Sequence, residues 1–382
     1  MPQRFDHGEF PYAVFSVPGH LDAPRVGVGV ADQILDLSTL LDDPVFAQPT
    51  LNPFMAQGRT AWTATRTRVR EAAEVGAGPH LVPMHDAVLH LPFDVADFVD
   101  FNSSLQHATN AGRILRPGTE PVRSNWRQMP VGYHARTGTI VVSGTPVARP
   151  NGQYLQGEAT VVAPSERLDV EAEVGFVVGD GSATAPLSPA EFGDRVFGVV
   201  LVLDWSARDI QALESVPLGP FLGKSFATTM SAWVLPLEAL ELARVTAPVQ
   251  DPQPAEYLRI AEPWALDVRL EFALNGHVVS RPRFDTMYWT PAQQLAHLTL
   301  NGTRLRTGDL FASGTVSDAD DFGSFLELSW DGERPLTLPN GEVRGYLADG
   351  DEICLTAVAH GRDGSRVHLG EARGAVSPAR PM

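Results

Sequence analysis

Lysine is almost missing from this chain: of its 29 basic side chains, only Lys224 is a lysine and the rest are arginines. Cysteine is as scarce, with Cys354 alone among 382 residues. A single thiol excludes an internal disulfide and a cysteine-rich metal site, and within the apolar stretch EICLTAV it reads as a small buried hydrophobe on a strand. No apolar run approaches the ~18 residues a membrane-spanning helix needs. The opening MPQRFDHGEFPY lacks the apolar core of a signal peptide. Together these absences suggest a cytoplasmic protein. Positive charge is also in deficit, 29 basic against 46 acidic residues for a formal net charge of −17. That balance argues against nucleic acid or an anionic membrane as partner. An acidic substrate would need a local cationic pocket working against the overall field.

What is present describes an ordinary globular chain, 43% hydrophobic and 20% charged, long enough for two domains. Short β-branched runs in VGVGVADQILDLSTL point to a small β-rich opening unit. Apolar, Arg and Glu spacing predicts a helix from Thr60 to Ala77, stopped by Gly-Ala-Gly-Pro. The character changes after His90, which places a boundary near Leu91 and divides the chain into 1–91 and 92–382. Downstream, short apolar strands such as EAEVGFVVG, VFGVVLVLDW and LDVRLEFALNGHVV alternate with Gly, Pro and Asp. Helices are expected only at Ser103–Leu115, Ala207–Leu213 and Pro291–Leu300. Strands without regular helical crossovers indicate a mainly β, α+β architecture. The Asn-Gly pairs at 275–276 and 301–302 are turn signals, and only the first reads as a hairpin.

Lys224 lies in GPFLGKSF, which is close to a phosphate-binding loop but is not one. Three residues, not four, separate Gly219 from the Gly-Lys pair, and Pro220 lacks an N–H where such a loop aims N–H groups at phosphate. In DVEAEVGFVVG, residues two apart on a strand share a face, so Glu171 and Glu173 point together. The pair is either a solvated edge or, given the apolar continuation Phe176-Val177-Val178, a buried pair that requires a cation. VFGVVLVLDWSARDIQ ends an apolar run on Asp204, either a ligand or a turn residue, before a helix that Ser206 would cap. On that helix Arg208 and Gln211, three apart, share a face. In VDFNSSLQHATNAGRILR, Asp100 precedes a Ser-capped helix bearing His107 and, near its end, Arg116. Alone, a helical His is more often structural than catalytic.

The stretches SSLQHATNAG, PVGYHARTGTIVVSGTP, LDWSARDIQ, VPLGPFLGKSFATT and FASGTVSDADDFGSFLELSW, in this order, resemble the fumarylacetoacetases over nearly the whole chain. The resemblance implies a small SH3-like N-terminal barrel followed by a larger mixed β-sandwich-roll catalytic domain, in a homodimer. It implies a divalent ion, Mg²⁺ or Ca²⁺, held by Asp100, Glu171, Glu173 and Asp204, with Lys224 and Thr228 close by. An all-oxygen set suits such a hard cation. A compact ammonium beside it offsets the carboxylates where a wide guanidinium would not fit. The implied reaction is hydrolytic cleavage of a carbon–carbon bond in a 1,3-diketo acid, as in tyrosine and phenylalanine catabolism. By the same resemblance His107 is the general base, Glu327 orients it, and Arg208, Gln211 and Lys224 stabilise the oxyanion and leaving carbanion. Arg116, Gln211 and Thr315 match substrate contacts.

Two departures touch the substrate: Asn102 and Ser215 stand where the family carries tyrosines. Losing two phenols enlarges the pocket and removes two hydroxyl donors. Three readings follow. The first is hydrolysis of fumarylacetoacetate or a close analogue. The second is hydrolysis, decarboxylation, tautomerisation or condensation of another diketo compound. The third is a metal-dependent binding module without turnover, which would have no use for the His107 and Glu327 pair.

Overall fold

The computed structural model describes residues 4–6, 8–182 and 186–382. The expected opening β unit is a five-stranded sheet in the order Leu81–Pro83, Gln33–Asp36, His20–Val30, Tyr12–Val17, Val88–Leu89. That order has two ends, so among the described residues the strands do not close into a barrel. The helix expected from residue 60 runs Arg59–Val75 and stops at Gly76 (φ 79°). Its buried stripe, Trp62, Arg66 and Val69, has the i, i+4, i+7 spacing that faces a core. Trp62 packs edge-on to Phe197, so this unit shares a core with the rest of the chain. Tyr12 and Val234 exchange backbone hydrogen bonds of 2.8 Å across the same junction.

The remainder is mainly strand. One large sheet runs Gly132–His134, Phe98–Phe101, Leu310–Ala312, Leu168–Val178, Val196–Ala207, Thr228–Met230, Ile140–Val142. A second has the order His277–Ser280, Val268–Leu274, Glu352–His360, Arg366–Ser377, Val147–Ala148. Leu168, Val170, Ala172, Val174 and Phe176 join Leu270, Phe272, Leu355 and Ala357 in one core between them. The first strand of that core is buried along all of its 11 residues. The edge-strand alternative for Glu171 and Glu173 is therefore excluded.

The three expected downstream helices form as Leu105–Leu115, Arg208–Glu214 and Pro291–Thr299, and two one-turn helices, Phe192–Arg195 and Phe325–Leu328, were not anticipated. Asn275 and Gly276 (φ 50° and 78°) make the hairpin turn between Val268–Leu274 and His277–Ser280. Two expectations are corrected. Ser206 does not cap the helix after it; the cap position is Ala207, and the Ser206 hydroxyl donates to the Asp204 carbonyl at 3.1 Å. The strand stays paired through Ala207, opposite Leu168, which keeps Ser206 in the sheet. Cys354 is on a strand as expected but is half-buried, because Ile353 and Leu355 take the inward positions. Burial and the nearby Glu371 carboxylate push its thiol up to about 11. Among the described residues no helix is long and apolar enough to cross a membrane.

Candidate active site

Strand periodicity builds the acidic half of the site. While Val170, Ala172 and Val174 face the core, the opposite face of the same strand carries Asp169, Glu171 and Glu173 in a row. Glu171 lies directly across from Asp204 on the neighbouring strand, and Asp204 in turn lies across from Thr228. Asp100 reaches the same place from the strand Phe98–Phe101, through Ala312. Asp100, Glu171, Glu173 and Asp204, all buried, present carboxylate oxygens within 4.8 Å of one another. Lys224 lies among them, its Nζ 2.5 Å from Asp204 and 2.8 Å from Glu171. Burial disfavours the charged ammonium, but Asp204 and Glu171 overrule it and raise the Lys224 pKa.

Charge is not shared evenly within the cluster. Burial pushes Glu171 up, yet Lys224, Arg208 and His107 outweigh it and hold that carboxyl well below its usual range. Glu173 and Asp100 are driven the other way, first by burial and then by the neighbouring carboxylates. Both Glu173 oxygens and Asp100 Oδ1 are buried without a hydrogen-bond partner among the described residues. Buried polar atoms are rarely left so. Three bare oxygens facing other carboxylates fit a hard divalent cation, which would satisfy them and remove the repulsion.

The other half is a dyad. Ser104 caps the helix Leu105–Leu115, accepting from His107 N at 3.1 Å, and so fixes where the imidazole emerges. His107 Nδ1 is 2.7 Å from Glu327 Oε2. Glu327 also accepts from Asn110 Nδ2 (3.0 Å), Ser317 Oγ (2.8 Å) and Ser324 Oγ (3.0 Å). Burial would raise the Glu327 pKa, but His107, Asn110 and Ser317 win and lower it. An ionised carboxylate only accepts, so Nδ1 carries the proton and Nε2, 3.3 Å from Thr315 Oγ1, is the basic nitrogen. Desolvation lowers the His107 pKa, but Glu327 raises it by more, and the net direction is up.

A cavity of about 450 Å³ joins the two halves, lined by Asp100, His107, Glu171, Arg208, Gln211 and Lys224. Asn102, Arg116 and Thr315 line it too. Asn102 Oδ1 and Arg116 Nε are buried without partners among the described residues, while Arg116 Nη2 donates to the Pro121 carbonyl at 2.7 Å. Arg208 donates Nε to Asp169 (2.8 Å), Nη2 to Glu171 (2.6 Å) and Nη1 to Gln211 (3.0 Å). Five expected residues do not line the cavity: Glu173, Asp204 and Glu327 sit behind its wall, bonded to or facing residues that do line it, and two more are turned away from it. Ser215 turns its hydroxyl back onto the Gln211 carbonyl, and Thr228 stays buried in the sheet. A cavity of about 540 Å³ between Trp62 and Trp264 contains none of the site residues.

Sequence reasoning missed two members. Tyr133 donates to Asp100 (2.8 Å) and reaches Asp204 (3.2 Å), a position fixed only by strand pairing. Asp169 accepts from Arg208 and from the N–H groups of Phe325 (2.7 Å) and Leu326 (3.0 Å). It thereby ties the cation to the short helix carrying Glu327. Its signal was available, since period two places it on the same strand face as Glu171 and Glu173.

Two family models match: residues 8–92 as "Fumarylacetoacetase N-terminal" and 97–376 as "Fumarylacetoacetate (FAA) hydrolase C-terminal". The chain belongs to the fumarylacetoacetate hydrolase family. It is 44% identical to human fumarylacetoacetase, covering 97% of this chain and 95% of the human one. The Caenorhabditis elegans fumarylacetoacetase is 44% identical (99% and 98% covered) and that of Arabidopsis thaliana 40% (99% and 97%). Solved structures share the fold at low identity. A fumarylacetoacetate hydrolase from Exiguobacterium antarcticum aligns with TM-score 0.56 at 17% identity, over 97% of this chain and all of that one. A maleylpyruvate hydrolase from Sphingobium aligns at 0.59 and 14%, again over 97% and 100%.

Proposed function

We propose that this protein hydrolyses the carbon–carbon bond of fumarylacetoacetate to give fumarate and acetoacetate, with a divalent metal, Mg²⁺ or Ca²⁺, at Asp100, Glu171, Glu173 and Asp204. One observation carries the reading: a chain alike to fumarylacetoacetases over 97% of its length sets His107, backed by Glu327, in the wall of the same cavity as Asp100 and Glu171 of a cation-seeking carboxylate cluster. Bound there, the metal would supply Lewis-acid polarisation of the substrate's carbonyl oxygens. His107 Nε2 takes a proton from water as the water oxygen bonds to the carbonyl carbon. Glu327 holds the imidazolium that forms. Lys224, Arg208 and Gln211 donate toward the charge that develops on oxygen and on the departing carbon, which regains a proton. Arg116 and Thr315 orient the substrate, and Thr228 buttresses Asp204.

Residues 1–91 serve as the N-terminal unit and 92–382 as the catalytic domain of a cytoplasmic homodimer in tyrosine and phenylalanine catabolism. This part rests on family likeness. The test is the near-ultraviolet absorbance of fumarylacetoacetate in the presence of Mg²⁺ or Ca²⁺. Rapid loss, with fumarate and acetoacetate recovered, supports the reading; a stable absorbance overturns it.

A second reading is favoured by the substrate wall, where Asn102 offers a bare buried oxygen and Ser215 is turned away. A pocket so altered suits a different diketo compound, and unfilled hydrogen-bond partners change preference strongly. Product analysis across a panel of diketo acids separates hydrolysis from decarboxylation, tautomerisation or condensation.

A further inference from the structure

The loop between the helix Arg208–Glu214 and Lys224 poses a physical problem. Leu218, Gly219 and Pro220 form part of the cavity wall, and Pro220, Phe221 and Lys224 also line a neighbouring cavity of about 380 Å³. The loop is thus a partition. Yet its large side chains bury little: Val216 is 84% exposed, Leu218 96% and Phe221 59%. Hydrophobic packing of these side chains does not hold it in place.

Hydrogen bonding does. Glu214 Oε1 accepts from Phe221 N at 2.8 Å and Gly223 N at 2.7 Å, and Oε2 accepts from Leu222 N at 2.9 Å. One carboxylate thereby gathers three successive backbone donors and closes the loop onto the last residue of the helix. Gly223 is required for the fit, because a Cβ there would come within 2.8 Å of Gln211 N and 2.9 Å of the Ala207 carbonyl. Gly219, at φ 101°, supplies the reversal. Lys224 itself is anchored independently, on Asp204 and Glu171.

We propose that Glu214 is a positioning residue whose carboxylate holds the loop 215–223 as a preformed wall of the active cavity. The inference rests on the proposed reaction for its kinetic consequence, but not for the latch itself. Without the latch the loop populates many conformations, and substrate must select the closed one, which weakens apparent binding while leaving the bound geometry intact. The effect therefore falls on KM and not on kcat.

The experiment compares wild type, Glu214→Ala and Glu214→Gln with Mg²⁺ and fumarylacetoacetate, alongside amide hydrogen exchange and thermal unfolding. Glu214→Ala should raise KM roughly tenfold with kcat within about twofold and an unchanged Tm. Glu214→Gln should fall between, since it keeps an oxygen for Phe221 and Gly223 but sets an amide donor against the Leu222 N–H. An unchanged KM overturns the proposal, as does a lower kcat and Tm at constant KM, which would mark general destabilisation. If wild type turned over nothing, the proposed reaction would fail while exchange at 221–223 still decided the latch. Faster exchange in Glu214→Ala sustains it, and equal exchange overturns it.

Discussion

Two carboxylates a few residues from the same cavity live in opposite conditions. Glu327 is surrounded by His107, Asn110, Ser317 and Ser324, all supplied by the chain itself. Glu173, equally buried, has no partner for either oxygen among the described residues. The first half of the site is complete as folded, and the second is complete only with a cation. A fully satisfied network rigidifies, while a buried unsatisfied group stores unfavourable free energy that ligation releases. The contrast separates what the fold makes from what the fold awaits.

Removing the metal should break that contrast most severely. Chelation is expected to abolish turnover and restoring Mg²⁺ or Ca²⁺ to return it; full activity after exhaustive chelation, checked by metal analysis, would refute the cluster as a metal site. Next in size, His107→Ala should bind substrate but lose about two to four powers of ten in kcat, the usual contribution of a general base. Single-turnover kinetics tests this, and an unimpaired variant would remove His107 from the chemistry. Lys224→Met should lose roughly 3–4 kcal/mol of transition-state stabilisation if the ammonium acts as one oxyanion donor. Lys224→Arg should also be impaired, because Nζ fits between Asp204 and Glu171 where a planar fork does not. Steady-state kinetics of both variants decides, and a fully active Arg variant would mean that only charge matters.

The two acidic positions should respond with opposite sign in the metal-free protein. Glu173→Gln relieves like-charge repulsion and should raise Tm without metal while abolishing its stabilisation by metal. Glu171→Ala strands Lys224 and Arg208 as buried, under-paired cations and should lower Tm. Thermal unfolding with and without Mg²⁺ checks both, and equal shifts would dissolve the distinction. Smallest is a pH effect. His107 must be neutral to accept a proton, and Glu327 raises its pKa, so the acid limb of kcat/KM should lie above the ordinary imidazole value. Glu327→Gln should move that limb to lower pH. The same pair affects stability in two windows. The His107 contribution is present below the ordinary imidazole value and is lost as pH rises through the folded pKa. The Glu327 contribution, from a lowered pKa, is present above the ordinary carboxylate value and is lost as pH falls through the folded one.

Much of the site was legible because it follows short-range rules. Period two put Glu171 and Glu173 on one face, and the i, i+3 spacing put Arg208 beside Gln211, which it contacts at 3.0 Å. The apolar run into Asp204 marked a buried strand. Local patterns did not reveal Tyr133, whose place depends on pairing with the strand of Asp100. They also misplaced a cap onto Ser206, because continued pairing of its strand overrode a good capping residue. Ser215 shows the same limit, since its alignment with substrate contacts did not foresee a hydroxyl bonded to its own helix.

By itself, then, the sequence determined the strand faces, the longer helices, the acidic and basic groups available and the absence of an internal disulfide. These depend on residue type and on neighbours within a few positions, where backbone geometry fixes direction. Only the tertiary structure decided which groups meet. His107 and Glu327 are 220 residues apart, and Lys224 reaches Asp204 across 20. Only it decided that Glu327 is satisfied while Glu173 is bare, and that Glu214 gathers a loop which packing does not hold. Such contacts depend on how two sheets and their connections pack, and no local period encodes that distance.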